Sequence, residues 1–172
     1  YGGCYGGETD GNIDILYGAN RRFYGNMKYS NYGLSKVRGG GHDIPFEKSV
    51  ADVKGEKLTI DILDGAIVDE VFGAVNSNLN CENVYINVKE GARIADDYDF
   101  GALYGGTGTT TLEMKPANEY SIGGKQYTAN SNIHIKFDGE GKLKDQALCN
   151  LSIQGGGTNG HVIGNIDITM NG

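Results

Sequence analysis

The sequence predicts an all-β fold, a parallel β-helix (β-solenoid) of roughly eight short coils with glycine-rich corners. Apolar residues recur in short period-two runs, as in Ile60-Asp61-Ile62 and Ile133-His134-Ile135. Glycine accounts for 29 of 172 residues and clusters just after those runs, against a usual share of roughly 7%. Helical periodicity is missing throughout. With only two prolines and no third-residue glycine period, collagen is excluded.

The strand half of the repeat appears first as Gly11-Asn12-Ile13-Asp14-Ile15. Leu58-Thr59-Ile60-Asp61-Ile62 follows, then Val84-Tyr85-Ile86-Asn87-Val88, Asn132-Ile133-His134-Ile135-Lys136-Phe137 and Asn165-Ile166-Asp167-Ile168-Thr169-Met170. Each alternates apolar with polar residues, which gives a strand one buried and one wet face. Ile60, Ile62, Ile86, Val88, Ile133, Ile135, Ile166 and Ile168 are therefore expected to point inward in ladders. Acidic-Gly-Ala turns come next at Asp64-Gly65-Ala66 and Glu90-Gly91-Ala92.

The corner half reads Tyr17-Gly18-Ala19, Arg38-Gly39-Gly40, Phe72-Gly73-Ala74, Tyr104-Gly105-Gly106, Ile122-Gly123-Gly124 and Gln154-Gly155-Gly156. Gly73, Gly105 and Gly155 are expected at bends, with positive φ. Counting Gly2, the corner glycines lie 16, 21, 34, 32, 18 and 32 residues apart, which reads as one or two coils of 16–21 residues. Stacking such coils buries faces that no single short strand could bury. An antiparallel sandwich is the rival, but hairpin dipeptides between paired strands are scarce.

The length suits a single segment, 1–172, with irregular insertions near 20–36 and 115–130. Opening on Tyr1-Gly2-Gly3 and stopping at Met170-Asn171-Gly172, it reads as an excerpt of a longer repeat protein. No run approaches 18 apolar residues, so membrane insertion of this segment is not expected. No secretion signal is visible in it.

The net charge of −7 disfavours nucleic acid as a partner. Residues 21–57 run against it, with eight Lys/Arg and four Asp/Glu. The three cysteines, Cys4, Cys81 and Cys149, are too sparse for a disulfide scaffold or a zinc site and read as small core fillers.

Catalytic signatures are thin. Asp96, Asp97 and Asp99 form the densest acidic cluster, near Arg93 and with Asp69 and Glu70 expected one coil below. They are the candidates for calcium or for a carboxylate pair. Acidic turns between strands are common, so no catalytic residue, metal or cofactor is assigned. Gly105-Gly106-Thr107-Gly108-Thr109-Thr110 resembles a calcium-binding nonapeptide but has Thr110 where the aspartate ligand belongs. Thr109 and Thr111 alone cannot make an ice-binding array. His42, His134 and His161 lack metal-site spacing, and no G-x-S-x-G or Walker A run occurs.

The insertion carrying Arg21, Arg22, Tyr24, Tyr29 and Tyr32 is the binding candidate. It breaks the period and sets aromatic rings beside positive charge, a pattern suited to sugar stacking and to carboxylates.

The pairing of Ile-x-Ile strands, Asp64-Gly65-Ala66-type turns and Val71-Phe72-Gly73-Ala74-type corners resembles the repeats of bacterial cell-surface, adhesin-like β-helix proteins. The resemblance, to a pectin-lyase-like β-solenoid, implies a non-enzymatic extracellular stalk or adhesion module. It implies a glycan or a host or cell-surface protein as partner, with end-to-end self-association as a third expectation. The same architecture serves polysaccharide lyases and glycosidases, so a carbohydrate-active enzyme is the alternative.

Overall fold

The computed structural model describes residues 2–3, 7–18, 36–40, 52–68, 70–74, 77–94, 100–107, 127–139, 150–157 and 161–171. Among these there is no helix, so none is long and apolar enough to cross a membrane. The strands are β1 (Glu8–Asp10), β2 (Ile13–Tyr17), β3 (Lys36–Arg38), β4 (Asp52–Ile62), β5 (Ile67–Val68), β6 (Glu70–Phe72) and β7 (Asn78–Val88). They continue as β8 (Arg93–Ile94), β9 (Phe100–Tyr104), β10 (Thr128–Asn130), β11 (Asn132–Phe137), β12 (Asn150–Gln154), β13 (His161–Ile163) and β14 (Ile166–Met170). The segment 115–130, read as irregular, is described only from Tyr127 onward. There it is ordered, with Tyr127 buried and β10 in the larger sheet.

The all-β expectation holds, and every described strand pair is parallel. That removes the antiparallel sandwich. The larger sheet has five rungs in chain order: β1 with β2, then β4, β7, β10 with β11, and β13 with β14. The smaller sheet runs β3, β6, β9, β12, also in chain order, and β5 pairs with β8. Parallel neighbours cannot be joined by a tight hairpin, so the chain must leave one sheet before returning to it. It does so by visiting the other.

Like residues face each other across the rungs. Ile15, Ile60, Ile86, Ile135 and Ile168 form one column of the larger sheet, and Ile13, Leu58, Val84, Ile133 and Ile166 another. Val37, Val71, Leu103 and Ile153 form the inward column of the smaller sheet. Ile60, Ile62, Ile86, Val88, Ile133 and Ile135 are buried as the alternation requires. Each such side chain contributes roughly 1.5–3 kcal/mol.

Ile166 and Ile168 depart from that expectation, each being 43% exposed. They keep the register and the inward direction, since a Cβ on Gly155 would meet both side chains. They are exposed because, among the described residues, a rung packs against them on one side only, through β11.

Two more expectations need correction. Among the described residues the larger sheet shows five rungs where roughly eight short coils were expected, with column residues 45, 26, 49 and 33 apart from Ile15 to Ile168. A glycine gap of 32 or 34 is thus one repeat containing a strand of each sheet. Gly18 does not belong to the corner column, and Gly123 lies outside the described residues. The corner glycines themselves do bend the chain, but Gly73, Gly105 and Gly155 do not take positive φ. At Gly73 and Gly105 the backbone of the next rung approaches too closely for a Cβ, and at Gly155 the Ile166 side chain does. Gly39, Gly73 and Gly105 donate in turn to Phe72, Tyr104 and Gln154 of the next rung. Positive φ occurs instead in the acidic-Gly-Ala turns, at Gly65 (73°) and Gly91 (76°).

Candidate functional site

The binding candidates Arg21, Arg22, Tyr24, Tyr29 and Tyr32 lie outside the described residues. So do the calcium candidates Asp96, Asp97 and Asp99, together with Asp69, Thr109, Thr110 and Thr111. Glu70 falls in β6 opposite Ala102, and Arg93 in β8 opposite Ile67. Among the described residues no three or more His, Cys, Asp or Glu side chains are grouped to hold a metal ion. Thr107, from the nonapeptide-like run, is buried, and its hydroxyl donates to the Ser77 carbonyl.

The chemistry-bearing side chains that the structure does bring together lie on the outer face of the larger sheet. One outward column runs Asp14, Thr59, Tyr85, His134, Asp167. Tyr85 and His134 stack with ring centroids 4.9 Å apart and 16° between planes. His134 Nδ1 stands 3.2 Å from Asp167 Oδ2, and its Nε2 stands 3.3 Å from Asn83 Oδ1. The half-buried imidazole is therefore held from the rungs on both sides of its own, β7 and β14. Lys57 Nζ pairs with Asp14 Oδ1 at 3.3 Å. Hydrogen bonds to Thr59 and then to Lys57 hold the Asp14 carboxyl below the usual range.

A second kind of ladder pairs amides with carboxylates between rungs. Asn80 donates to Asp52 at 2.7 Å, Asn87 to Asp61 at 2.8 Å, and Asn171 to Asp138 at 2.7 Å. Backbone amides use asparagine as well: Glu56 and Lys57 N–H both donate to Asn12 Oδ1, and Asn165 N–H donates to Asn132 Oδ1. Lys136 Nζ stands 2.8 Å from Asp138 Oδ2. That contact first, then the Asn171 bond, lowers the Asp138 carboxyl.

On the smaller sheet Arg38, Phe72 and Tyr104 share an outward column. Phe72 stacks on Tyr104 at 4.9 Å and 13°, and the Arg38 guanidinium lies 5.9 Å over the Phe72 ring. Phe72 is buried, so this stack clasps neighbouring rungs, and the Phe72 ring is not open to a sugar.

Sequence reading left His134 either outward or inward, and it missed the partnership with Asp167. The signal was available. Aligning Ile133-His134-Ile135 with Ile166-Asp167-Ile168 sets the two polar residues at one position of the repeat. Cys81 is buried as a core filler should be, with Sγ 3.7 Å from Ser131 Oγ. Cys4 and Cys149 lie outside the described residues.

Chemically, these columns tie each rung to the next. Their acceptors, donors and rings are engaged with one another along the stack. Searches for similar proteins add nothing to this picture: no protein family, curated protein or solved structure matches the chain.

Proposed function

We propose that the chain is a non-enzymatic structural segment, a parallel β-solenoid stalk that carries the segments interrupting its rungs. The observation that supports it most is the strand order. In both sheets the order follows the sequence while the chain alternates between them, which is what winding in one sense around a common core produces. Inward columns of like apolar residues and outward Asn–Asp pairs fit the same winding, because each contact joins one turn to the next.

In this reading the segment belongs to an extracellular, adhesin-like surface protein, and the insertion bearing Arg21, Arg22, Tyr24, Tyr29 and Tyr32 meets an acidic glycan or a cell-surface protein. The rungs spend their side chains on each other, so recognition falls to what interrupts them. A glycan array probed with the intact chain and with a Tyr24→Ala/Tyr29→Ala variant tests the adhesive part. Binding lost in the variant and weakened by salt supports it, and equal binding by both removes it. Incubation with acidic polysaccharides, with and without calcium, tests the non-enzymatic part. Release of shortened or unsaturated sugars overturns that part.

A further inference from the structure

His134 is gripped at both ring nitrogens. Nδ1 stands 3.2 Å from Asp167 Oδ2 on β14, and Nε2 stands 3.3 Å from Asn83 Oδ1 on β7. Both facing atoms are acceptors. A neutral imidazole has one N–H and donates to only one of them, leaving its bare nitrogen against the lone pairs of the other oxygen. An imidazolium has two N–H groups and donates to both. The Tyr85 ring, stacked at 4.9 Å and 16°, fixes the plane of the imidazole and so the aim of both nitrogens.

We infer that His134 is a proton-operated clip: protonated, it ties β11 to β7 and β14 at once, and neutral, it releases one of the two. The inference rests on the strand register and not on the stalk reading. Between about pH 5 and pH 8 histidine is the side chain that ordinarily changes charge. The rungs on either side of β11 therefore hold more firmly at the acid end of that interval and loosen as pH rises through it.

The surroundings favour the charged ring. On this face β7 presents Asn83, Tyr85 and Asn87, and β14 presents Asp167 and Thr169. Asp167 is the one charged group among them, and it is opposite in sign to the imidazolium. Glu82, beside Asn83, is exposed and of the same sign as Asp167. A cation over the face of Tyr85 is attracted by the ring as well. On β11 itself the next outward residue is Lys136, whose Nζ stands 2.8 Å from Asp138 Oδ2. Beyond β7, Lys57 lies opposite Asn83 and pairs with Asp14 at 3.3 Å. Each ammonium thus has a carboxylate of its own, and these lysine pairs stay charged across the interval. The contact between His134 and Asp167 does not.

Native-state amide exchange of the intact chain at pH 5 and pH 8, corrected for the intrinsic rate at each pH, tests this. Ile133 N–H donates to Asn165 O and Asn171 N–H to Phe137 O, so both report on the pairing of β11 with β14. Asp138 N–H donates to Val88 O and reports on β11 against β7. Protection at these amides should be about two- to five-fold higher at pH 5, the range expected of ion pairs at a surface. His134→Gln should abolish the difference, although His161 remains. Asp167→Asn should also abolish it, whatever the stability of that variant. A residue that merely fills space would instead change protection equally at both pH values. Equal protection at the two pH values in the parent overturns the inference, and so does a difference that survives His134→Gln. The first result is what an Asn83 amide turned to offer its NH2 would give, because that donor satisfies a neutral ring. Amides unprotected at both pH values overturn the inference together with the register.

Discussion

A Cβ on Gly73 would run into the carbonyl oxygen of Gly105, one rung farther along the smaller sheet. The obstacle is backbone, and it cannot swing aside as a side-chain tip can. Gly73→Ala should therefore lower stability by about 1–3 kcal/mol. Gly18 has open space around it and no positive φ, so Gly18→Ala should be neutral or up to about 1 kcal/mol more stable. Urea unfolding of the two variants beside the parent checks the pair, and equal midpoints would refute the close-approach account.

Leu58 and Leu16 are the same residue in neighbouring rungs of one sheet, but they point to opposite faces. Leu58 is fully buried and Leu16 is 68% exposed. Leu58→Ala should cost about 2–5 kcal/mol, through lost burial and the cavity left behind. Leu16→Ala should change stability by about 0.5 kcal/mol or less. Thermal or urea denaturation decides it, and comparable losses in both would mean that the register is wrong.

Asp14 and Asp138 have carboxyls held below the usual range by hydrogen bonds, from Thr59 and Lys57 in one case and from Lys136 and Asn171 in the other. A lowered native pKa means the unfolded chain takes up the proton first as pH falls. Their contribution is thus present above the ordinary carboxylate range and lost as pH drops through the lowered native values. Lys54 runs the other way. Its bond to Glu8 raises it, so its contribution is present below the ordinary lysine range and lost as pH rises through the raised value. All three groups are at the surface, and the effects are small and screened by salt. Unfolding midpoints measured against pH should fall at both extremes, and Asp138→Asn should flatten the acid limb.

Burial pushes the Cys81 thiol up, outweighing the hydrogen bond to Ser131. A buried, protonated thiol is a poor nucleophile. In a Cys4→Ser/Cys149→Ser background, an aromatic disulfide reagent should label Cys81 only as fast as the chain unfolds. Labelling at the rate of a free thiol under native conditions would count against the packing around β7.

Alternation in Ile13-Asp14-Ile15, Ile60-Asp61-Ile62, Ile86-Asn87-Val88 and Ile133-His134-Ile135 was enough to make these strands and to choose which face is buried. Side-chain direction in a strand is a local, period-two property, and the sequence by itself determined it. The same local logic marked Gly65 and Gly91 as turn residues. Tertiary structure decided what depends on neighbours far along the chain. The repeat spans a strand in each sheet, so its length could not be read from glycine spacing that mixes whole and partial repeats. Gly73 is glycine because of Gly105, 32 residues away, and not because of its own φ. Ile168 has the pattern of Ile60 yet is exposed, because among the described residues it has a packed rung on one side only, whereas Ile60 has one on each side. His134 meets Asp167 and Tyr85 because stacking sets equivalent repeat positions about 4.8 Å apart, whatever their distance in sequence.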